Sequence, residues 1–529
     1  MRKSELRLFR IWCSPVQNHP AAGSPSGILT LFILSCSLSL LFSCANVLAP
    51  SKKDLKYFTP LKKYAPQSLQ RDFDLMRAMM EKFHPSLYWY TPKDSIDQIF
   101  DFYRAAIKDS MTEQQFGFRI IAPVTSSIRC GHTSFNYSKK YNKAMRGIRL
   151  PSFPLFLKVW GDSMVVTSNL NRKDSLIKRG TVINSIDGLG TKQITDIMFR
   201  YLPTDGYAEN INYIRISNSF PSYHRNIFGL KKSYSVNFTD STGQQRVANL
   251  PLFDPYADTL QKVKRDSKKV KAKKMSKQER LRNIRSLVID SSTRSAVMSL
   301  NSFDGGNRLP QFFRSSFRKL REENIENLVI DIRSNGGGKV NHYTRLSQYL
   351  RKTPFKVADT AYAVTKKFGS YGKYFQSRFV NSLALGLFTA RRHDSLYHFT
   401  FWEQHVYKPK KHDFYGGDIY VLIGGPTFSA STLFAQTMKG QENVMFIGEE
   451  TSGGSHGNNG LMIPNITLPN TGVRVRMPLF RLIQYNHPPK NGRGIAPDVL
   501  VPPNSKAVVY STDLKMEKAF EIIRSKKGL

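Results

Sequence analysis

The sequence predicts a multidomain chain of mixed α/β and α+β class. Length is the first reason: 529 residues are too many for a single core. Apolar spacing is the second. It recurs in threes and fours from Leu69 to about residue 125, then gives way to short strand-and-turn runs from Leu150 to about residue 250. Third, strand patterns alternate with helical patterns beyond about residue 287, as they do in an α/β sheet. A hydrophobic content of 40% suits a globular chain.

Residues 1–44 read as an export signal. Arg2, Lys3, Arg7 and Arg10 precede an apolar run from Ile28 to Phe42 that is short for a permanent span. The run ends in Leu41-Phe42-Ser43-Cys44, which resembles the lipobox of bacterial lipoproteins. That resemblance implies a lipidated Cys44 and a membrane anchor in the bacterial cell envelope, facing the periplasm or on the outer membrane. An ordinary signal peptide or a signal anchor is the alternative. The stretch before Ile28 is long for a compact signal, which is compatible with a start codon further downstream. Cys13, Cys36 and Cys44 all fall in this segment, so Cys130 alone stays unmodified in the mature chain. No intramolecular disulfide and no cysteine metal site are then expected.

Residues 45–65 are polar, with Pro and Lys, and read as a tether. Residues 66–135 read as a helical domain. Phe73, Met76, Met79, Met80 and Phe83 recur at helical spacing, as do Ile96, Ile99, Phe100, Tyr103 and Ile107, and Thr112 reads as a helix cap. Residues 150–250 read as a small β domain. Phe153–Val159 and Ser163–Val166 pair around Gly161-Asp162; Thr181–Gly188 alternates and ends in a turn; an amphipathic stretch follows from Ile194 to Leu202. That order resembles a PDZ domain, which takes an extended peptide by strand addition; an unrelated small β domain is the alternative. Residues 258–286 are a basic linker. Residues 287–510 are the α/β domain, with strands at Ala296–Leu300, Asn327–Ile332, Asp418–Ile423 and Val444–Ile447. Residues 511–529 close the chain as a helix.

The formal charge of +40 admits three partners: nucleic acid, an anionic membrane surface or acidic substrates. No zinc-finger spacing or aromatic RNA-binding signature accompanies it, and the dense cluster from Lys262 to Arg285 suits a solvated linker. A nucleic-acid partner is therefore not expected. No His-x-x-x-His or Glu-rich helix points to a catalytic metal, and no cofactor motif is present.

The chemistry concentrates at two strand ends. Ile419–Ile423 runs into Gly424-Gly425-Pro426-Thr427-Phe428-Ser429-Ala430-Ser431 and then into a helical pattern. A serine at such a join either caps the helix or is held up as a nucleophile beside helix N-terminal amides. Ser429 and Ser431 are both candidates. Leu328–Ile332 runs into Arg333-Ser334-Asn335-Gly336-Gly337-Gly338, where glycines allow backbone amides to approach an anion. It lacks the terminal Lys-Ser/Thr of a phosphate loop. Asp331 and Arg333 read as a structural ion pair.

Four segments in order, Asp331–Gly338, Thr427–Ser431, Ile447–Thr451 and Gly494–Asp498, resemble the motifs of the tail-specific (C-terminal processing) serine proteases. The resemblance covers roughly residues 70–505 and implies a crotonase-like (ClpP-like) protease core acting on peptides or unfolded proteins. By that match Ser429 is the nucleophile, with the oxyanion held by the amides of Ala430 and of Gly336 or Gly337. Members with a serine–lysine dyad carry a lysine where this chain has Gly454, and a glutamine where it has Asn458. The base must come from elsewhere. The tricorn branch lacks the lysine and uses a histidine just before its PDZ domain; Ile128-Arg129-Cys130-Gly131-His132-Thr133 lies there, which implies His132. His456, two residues past the lost lysine, is the alternative base, and His84 and His342 are weaker ones. Gly131 stands where tricorn proteins have a serine, and Asn491 where they have a glutamate. Glu449 and Glu450 are the nearby acids. A binding protein without turnover, on the same fold, is the competing expectation.

Overall fold

The computed structural model describes residues 58–240, 242–257 and 275–526. The export signal with Cys44, most of the tether and most of the basic linker lie outside the described residues. Residues 47–529 belong to one compact unit.

Helices α1 (Pro66–Phe83) and α2 (Lys93–Ala105) open the described chain. Proline suits the first turn of α1, where its missing N–H would have no partner anyway. The helix buries Leu69, Phe73, Met76, Met79, Met80 and Phe83, the residues the helical spacing selects. Phe73 meets Phe100 of α2 edge-on at 6.1 Å. Thr112 caps the next helical run through a reciprocal box with Gln115. The chain then reaches a short strand, β1 (Ser134–Asn136).

The β domain is a sheet in the order β2 (Leu155–Trp160), β3 (Ser163–Asn169), β4 (Val182–Ile186), β5 (Ser233–Thr239), β6 (Gln245–Pro251), all antiparallel. Between β4 and β5 lie α3 (Thr191–Phe199) and α4 (Asn210–Phe228). The sequence reading gives this region strands and turns and misses α4. Ser219 adopts φ −147° inside it and Pro221 follows two residues on, so the helical spacing is broken in the middle. The basic-linker reading also runs too far. Ser276 and Glu279 form a capping box that starts a helix at Lys277, and β7 (Arg285–Asp290) follows directly.

The α/β domain holds a six-stranded sheet among the described residues. Its order is β7, β8 (Ser295–Leu300), β9 (Asn327–Asp331), β11 (Asp418–Ile423), β12 (Val444–Gly448), β17 (Val499–Leu500), with β10 (Ala358–Ala363) in a separate sheet. Only the β7–β8 pair is antiparallel. Alternate residues of the central strands point to opposite covered faces, which is why these strands read as unbroken apolar runs. Ile330, Val421 and Ile423 pack under α5 (Leu309–Glu322), α6 (Val340–Leu350) and α8 (Ala430–Met438). Val329, Tyr420, Leu422 and Ile447 pack under α9 (Leu514–Lys526). Between α6 and α8 the chain also makes α7 (Arg378–Phe388).

The remaining strands stitch the parts together. β13 (Gly457–Asn458) and β10 flank β16 (Arg481–Gln484) in antiparallel pairing. β14 (Asn465–Thr467) pairs with β15 (Arg474–Arg476), and β15 pairs with β1, so a strand from the helical segment completes a sheet of the protease-like core. The helical reading to residue 135 thus ends on a strand that belongs to the core's sheet. Asp72 of α1 reinforces the join. Its carboxylate accepts from Asn470 N and Nδ2 and from Thr471 N and Oγ1, at 2.7–3.0 Å. Asp72→Ala would leave the amide and hydroxyl of buried Thr471 without their acceptor and remove two further bonds to the exposed Asn470. It is expected to cost about 3 kcal/mol of unfolding free energy, readable as a lower urea midpoint at unchanged slope.

Candidate active site

Two strand ends and one loop from the helical segment converge. After β11 the chain turns through Gly424–Phe428, and Thr427 pins the turn: its Oγ1 donates to Ile332 O at 3.0 Å. Ser429 follows with φ 55° and ψ −125°. A non-glycine residue at positive φ stores on the order of 1–3 kcal/mol of strain and persists only where its surroundings impose it. Ser429 occupies the N-cap position of α8, yet its side chain makes no capping hydrogen bond. The hydroxyl is therefore not spent on the helix. Ser431 lies in the first turn, fully buried, with its Oγ unpartnered among the described residues.

Asn335 laces the glycine loop to this turn. Its carbonyl accepts from Phe428 N at 3.2 Å, its Nδ2 donates to Leu300 O at 3.0 Å, and its Oδ1 accepts from Gly337 N at 2.9 Å. Gly337 has φ +100°, and a methyl group on it would sit 2.8 Å from Ser429 Cβ and 2.9 Å from Ala430 N, so only glycine fits. Its amide is held by Asn335 Oδ1, which leaves Gly336, the exposed member of the pair, as the candidate oxyanion donor beside Ala430.

His132 stands two residues before β1, inside the same site. A methyl group built on Gly460 would lie 2.7 Å from Ser429 Oγ, 2.9 Å from Asn458 Oδ1 and 3.0 Å from His132 Nε2. The three polar atoms thus face one point at hydrogen-bond distance from each, while no direct hydrogen bond joins Ser429 to His132. His132 is 3% exposed and stacks on Phe428 with ring centres 4.5 Å apart. Burial, and then the guanidinium groups of Arg476, Arg215 and Arg481, push its pKa down to about 3. Its Nδ1 is buried with no partner among the described residues.

The other histidines are committed elsewhere. His84 accepts from Ser86 N on Nδ1, so its Nε2 donates to Thr133 Oγ1 at 2.7 Å and fixes the residue after His132. His342 bonds Phe303 O at 2.6 Å. His456 bonds Pro488 O through Nδ1 at 2.5 Å, and its ring lies by Trp89 with centres 5.8 Å apart. The Nδ1 of the alternative base is thus engaged, and His456 is not among the three nearest atoms to the point that Ser429 and His132 share. The two candidate acids are also engaged: Glu449 pairs with Lys515 at 2.5 Å, and Glu450 binds Arg493 at 2.9 Å and Gly494 N at 2.7 Å. Neither reaches His132 Nδ1. Asp331 and Arg333 form the expected ion pair, extended to Asp513.

The acid that the sequence reading misses is Asp205, between α3 and α4. It is 5% exposed; Oδ1 accepts from Gly131 N at 2.7 Å, and Oδ2 is buried with no hydrogen-bond partner among the described residues. Burial pushes its pKa up to about 6 against the Gly131 amide and the charges of Arg481 and Arg215. Thr204-Asp205-Gly206 shows only a turn in the sequence, and nothing local signals that it reaches the His132 loop. Gly131 is required there: a methyl group would meet the Phe428 ring at 2.9 Å and Asp205 Oδ1 at 3.0 Å. Among the described residues no group of three or more His, Cys, Asp or Glu could hold a metal ion.

Residues 294–501 match the family model of peptidase family S41. Among solved structures, mature CPAF complexed with lactacystin aligns with a TM-score of 0.57 at 13% identity, over 87% of this chain and 98% of that chain. Mature CPAF aligns at 0.58 and 12% identity, over 87% and 97%. At such identities the likeness shows a shared fold. No curated protein matches the sequence.

The pKa of His132 fixes an expected pH profile. Neutral imidazole is the proton acceptor, and a pKa near 3 keeps it neutral far below the ordinary histidine value. Labelling of Ser429 by a serine-directed phosphonate is therefore expected to hold its rate as pH falls from neutral to about 5. The Asp205→Asn variant separates the titration of that carboxyl. A limb near the ordinary histidine value in both proteins would contradict the assignment.

Proposed function

Residues 294–501 are a peptidase family S41 domain, of the tail-specific protease family, and from that premise we propose that the chain is an exported serine endopeptidase working by a Ser429–His132 mechanism. The observation that carries this reading is the convergence of Ser429 Oγ and His132 Nε2 on the point beside Gly460. His132 takes the hydroxyl proton as Ser429 attacks the peptide carbonyl. The amides of Ala430 and Gly336 face the oxyanion, and His132 returns the proton to the leaving amine. Water then releases the acyl group by the same route.

Peptides or unfolded proteins are the substrates this implies. In the β domain, Val159 N at the β2 edge is taken up by Ser217 Oγ of α4, whereas β6 is a largely exposed edge strand. That edge would receive an extended chain by strand addition, as in PDZ recognition. Export rests on residues 1–44 and anchoring on Cys44, which would place the enzyme in the bacterial cell envelope.

The bare Nδ1 of His132 favours a second reading, in which the site binds peptides without turnover. One experiment separates the two. The wild-type chain is expected to cleave an unfolded protein and to take the phosphonate label. Ser429→Ala should abolish both, and His132→Ala should slow both by at least about 100-fold. Peptide affinity with no labelling of the wild type would establish the binding reading, and full activity in Ser429→Ala would sink the protease assignment.

A further inference from the structure

Helix α7 exposes an apolar stripe. Phe379, Leu383 and Leu387 are 78%, 39% and 57% exposed, and their spacing of four puts them on one face. The opposite face is used: Asn381, Ala384 and Leu385 are buried, and Asn381 Nδ2 donates to Gln376 O at 3.1 Å. Helix α7 is thus seated on the protein by one side and left bare on the other. Large bare aromatic and aliphatic residues in line mark an interaction surface.

The charge around it says what kind. Residues 366–411 carry nine Lys or Arg against two acids, Asp394 and Glu403. Both acids are turned inward on their own segment: Asp394 binds His398 at 2.8 Å, and Glu403 binds His398 at 2.8 Å and Arg392 at 2.6 Å. Arg378 opens α7, Arg391 lies just beyond its end, and both are exposed, as are Lys367 and Lys373 before it. An apolar face rimmed by basic side chains suits the boundary between acyl chains and anionic headgroups. A second copy of the chain would bring two basic rims together, each on a molecule of formal charge +40, and that repulsion opposes self-association. Among the described residues no helix is long and apolar enough to cross a membrane, so the contact is with the surface.

We propose that the bare face of α7 seats the catalytic unit on an anionic lipid surface, with Phe379, Leu383 and Leu387 in the headgroup boundary and the flanking arginines and lysines on its charge. The inference does not depend on the protease reading or on lipidation of Cys44. The test uses residues 47–529, the compact unit, so that neither the apolar run before Phe42 nor an acyl chain contributes. Sedimentation with phosphatidylcholine vesicles containing phosphatidylglycerol is compared with pure phosphatidylcholine, for wild type and for Phe379→Ser/Leu383→Ser/Leu387→Ser. The variant keeps every charge, and its substitutions lie on exposed positions; unchanged thermal melting and phosphonate labelling check its fold. The wild type is expected to favour the anionic vesicles and the variant to bind them at least about 10-fold more weakly. Equal binding by both proteins, or no binding by the wild type, overturns the proposal. So does a wild-type dimer in vesicle-free ultracentrifugation that the variant lacks, because the face then belongs to a second copy.

Discussion

The pairing of β1 with β15 is the contact on which the site depends. Register opposite Arg474–Arg476 fixes Ser134–Asn136, and His132 is then only two residues from a hydrogen-bonded strand. A base supplied by a separate helical segment would otherwise move with that segment. A side chain held next to a ladder has far less freedom than one on a loop. Asp72 on α1, His84 on Thr133 and Asp205 on Gly131 each fasten a different side of the same loop or its support. The strained backbone at Ser429 needs the same rigidity, since a positive φ there relaxes unless Asn335, Thr427 and Gly337 hold the turn.

The electrostatics of this arrangement are one-sided. His132 is buried beside Arg215, Arg476 and Arg481, none of which has a carboxylate in salt-bridge contact among the described residues. Arg481 leaves Nε and Nη2 unpartnered and instead lies 4.1 Å over the ring of Trp89. An imidazole with so low a pKa is a weak base, and basicity matters to proton transfer. The compensating charge arrives with the reaction. In the proposed mechanism, Ser429 adding to a carbonyl would form an oxyanion next to the imidazolium, both in the field of the guanidinium groups. A site that disfavours the cation in the resting state thus recovers much of that cost when the anion appears, which is differential stabilisation of the transition state.

What could be read in the sequence follows from how local each feature is. The strands β8, β9, β11 and β12 were legible because both faces of the sheet are covered, which leaves apolar runs between turn residues. The turn at Ser429 and the loop at Gly337 were legible because strain and close approach restrict the residue types allowed. Helix α4 was hidden by Ser219 and Pro221, which split its periodicity. The sequence left the oxyanion amide open between Gly336 and Gly337 because the choice between adjacent amides depends on a side chain, Asn335 Oδ1, that spacing does not reveal. Asp205 was invisible for a stronger reason. It lies 73 residues along the chain from His132, and only the packing of the β domain against the His132 loop gives it a role.

Gly454, which stands where the resemblance to dyad members would put a lysine, lies beside Asp205. A side chain at residue 454 would point toward Asp205 and Tyr90, each 3.8 Å from the position of a first carbon. A first carbon there would also sit 3.1 Å from Gly457 O, so a lysine side chain would have to pass between that carbonyl and the Asp205 side chain. Glycine places no side chain there, and the Asp205 carboxyl takes the amide of Gly131. The same carboxyl therefore stands between the Gly454 loop and the His132 loop. Restoring lysine at residue 454 would not simply return a dyad: it would compete for Asp205 and loosen the backbone that holds His132.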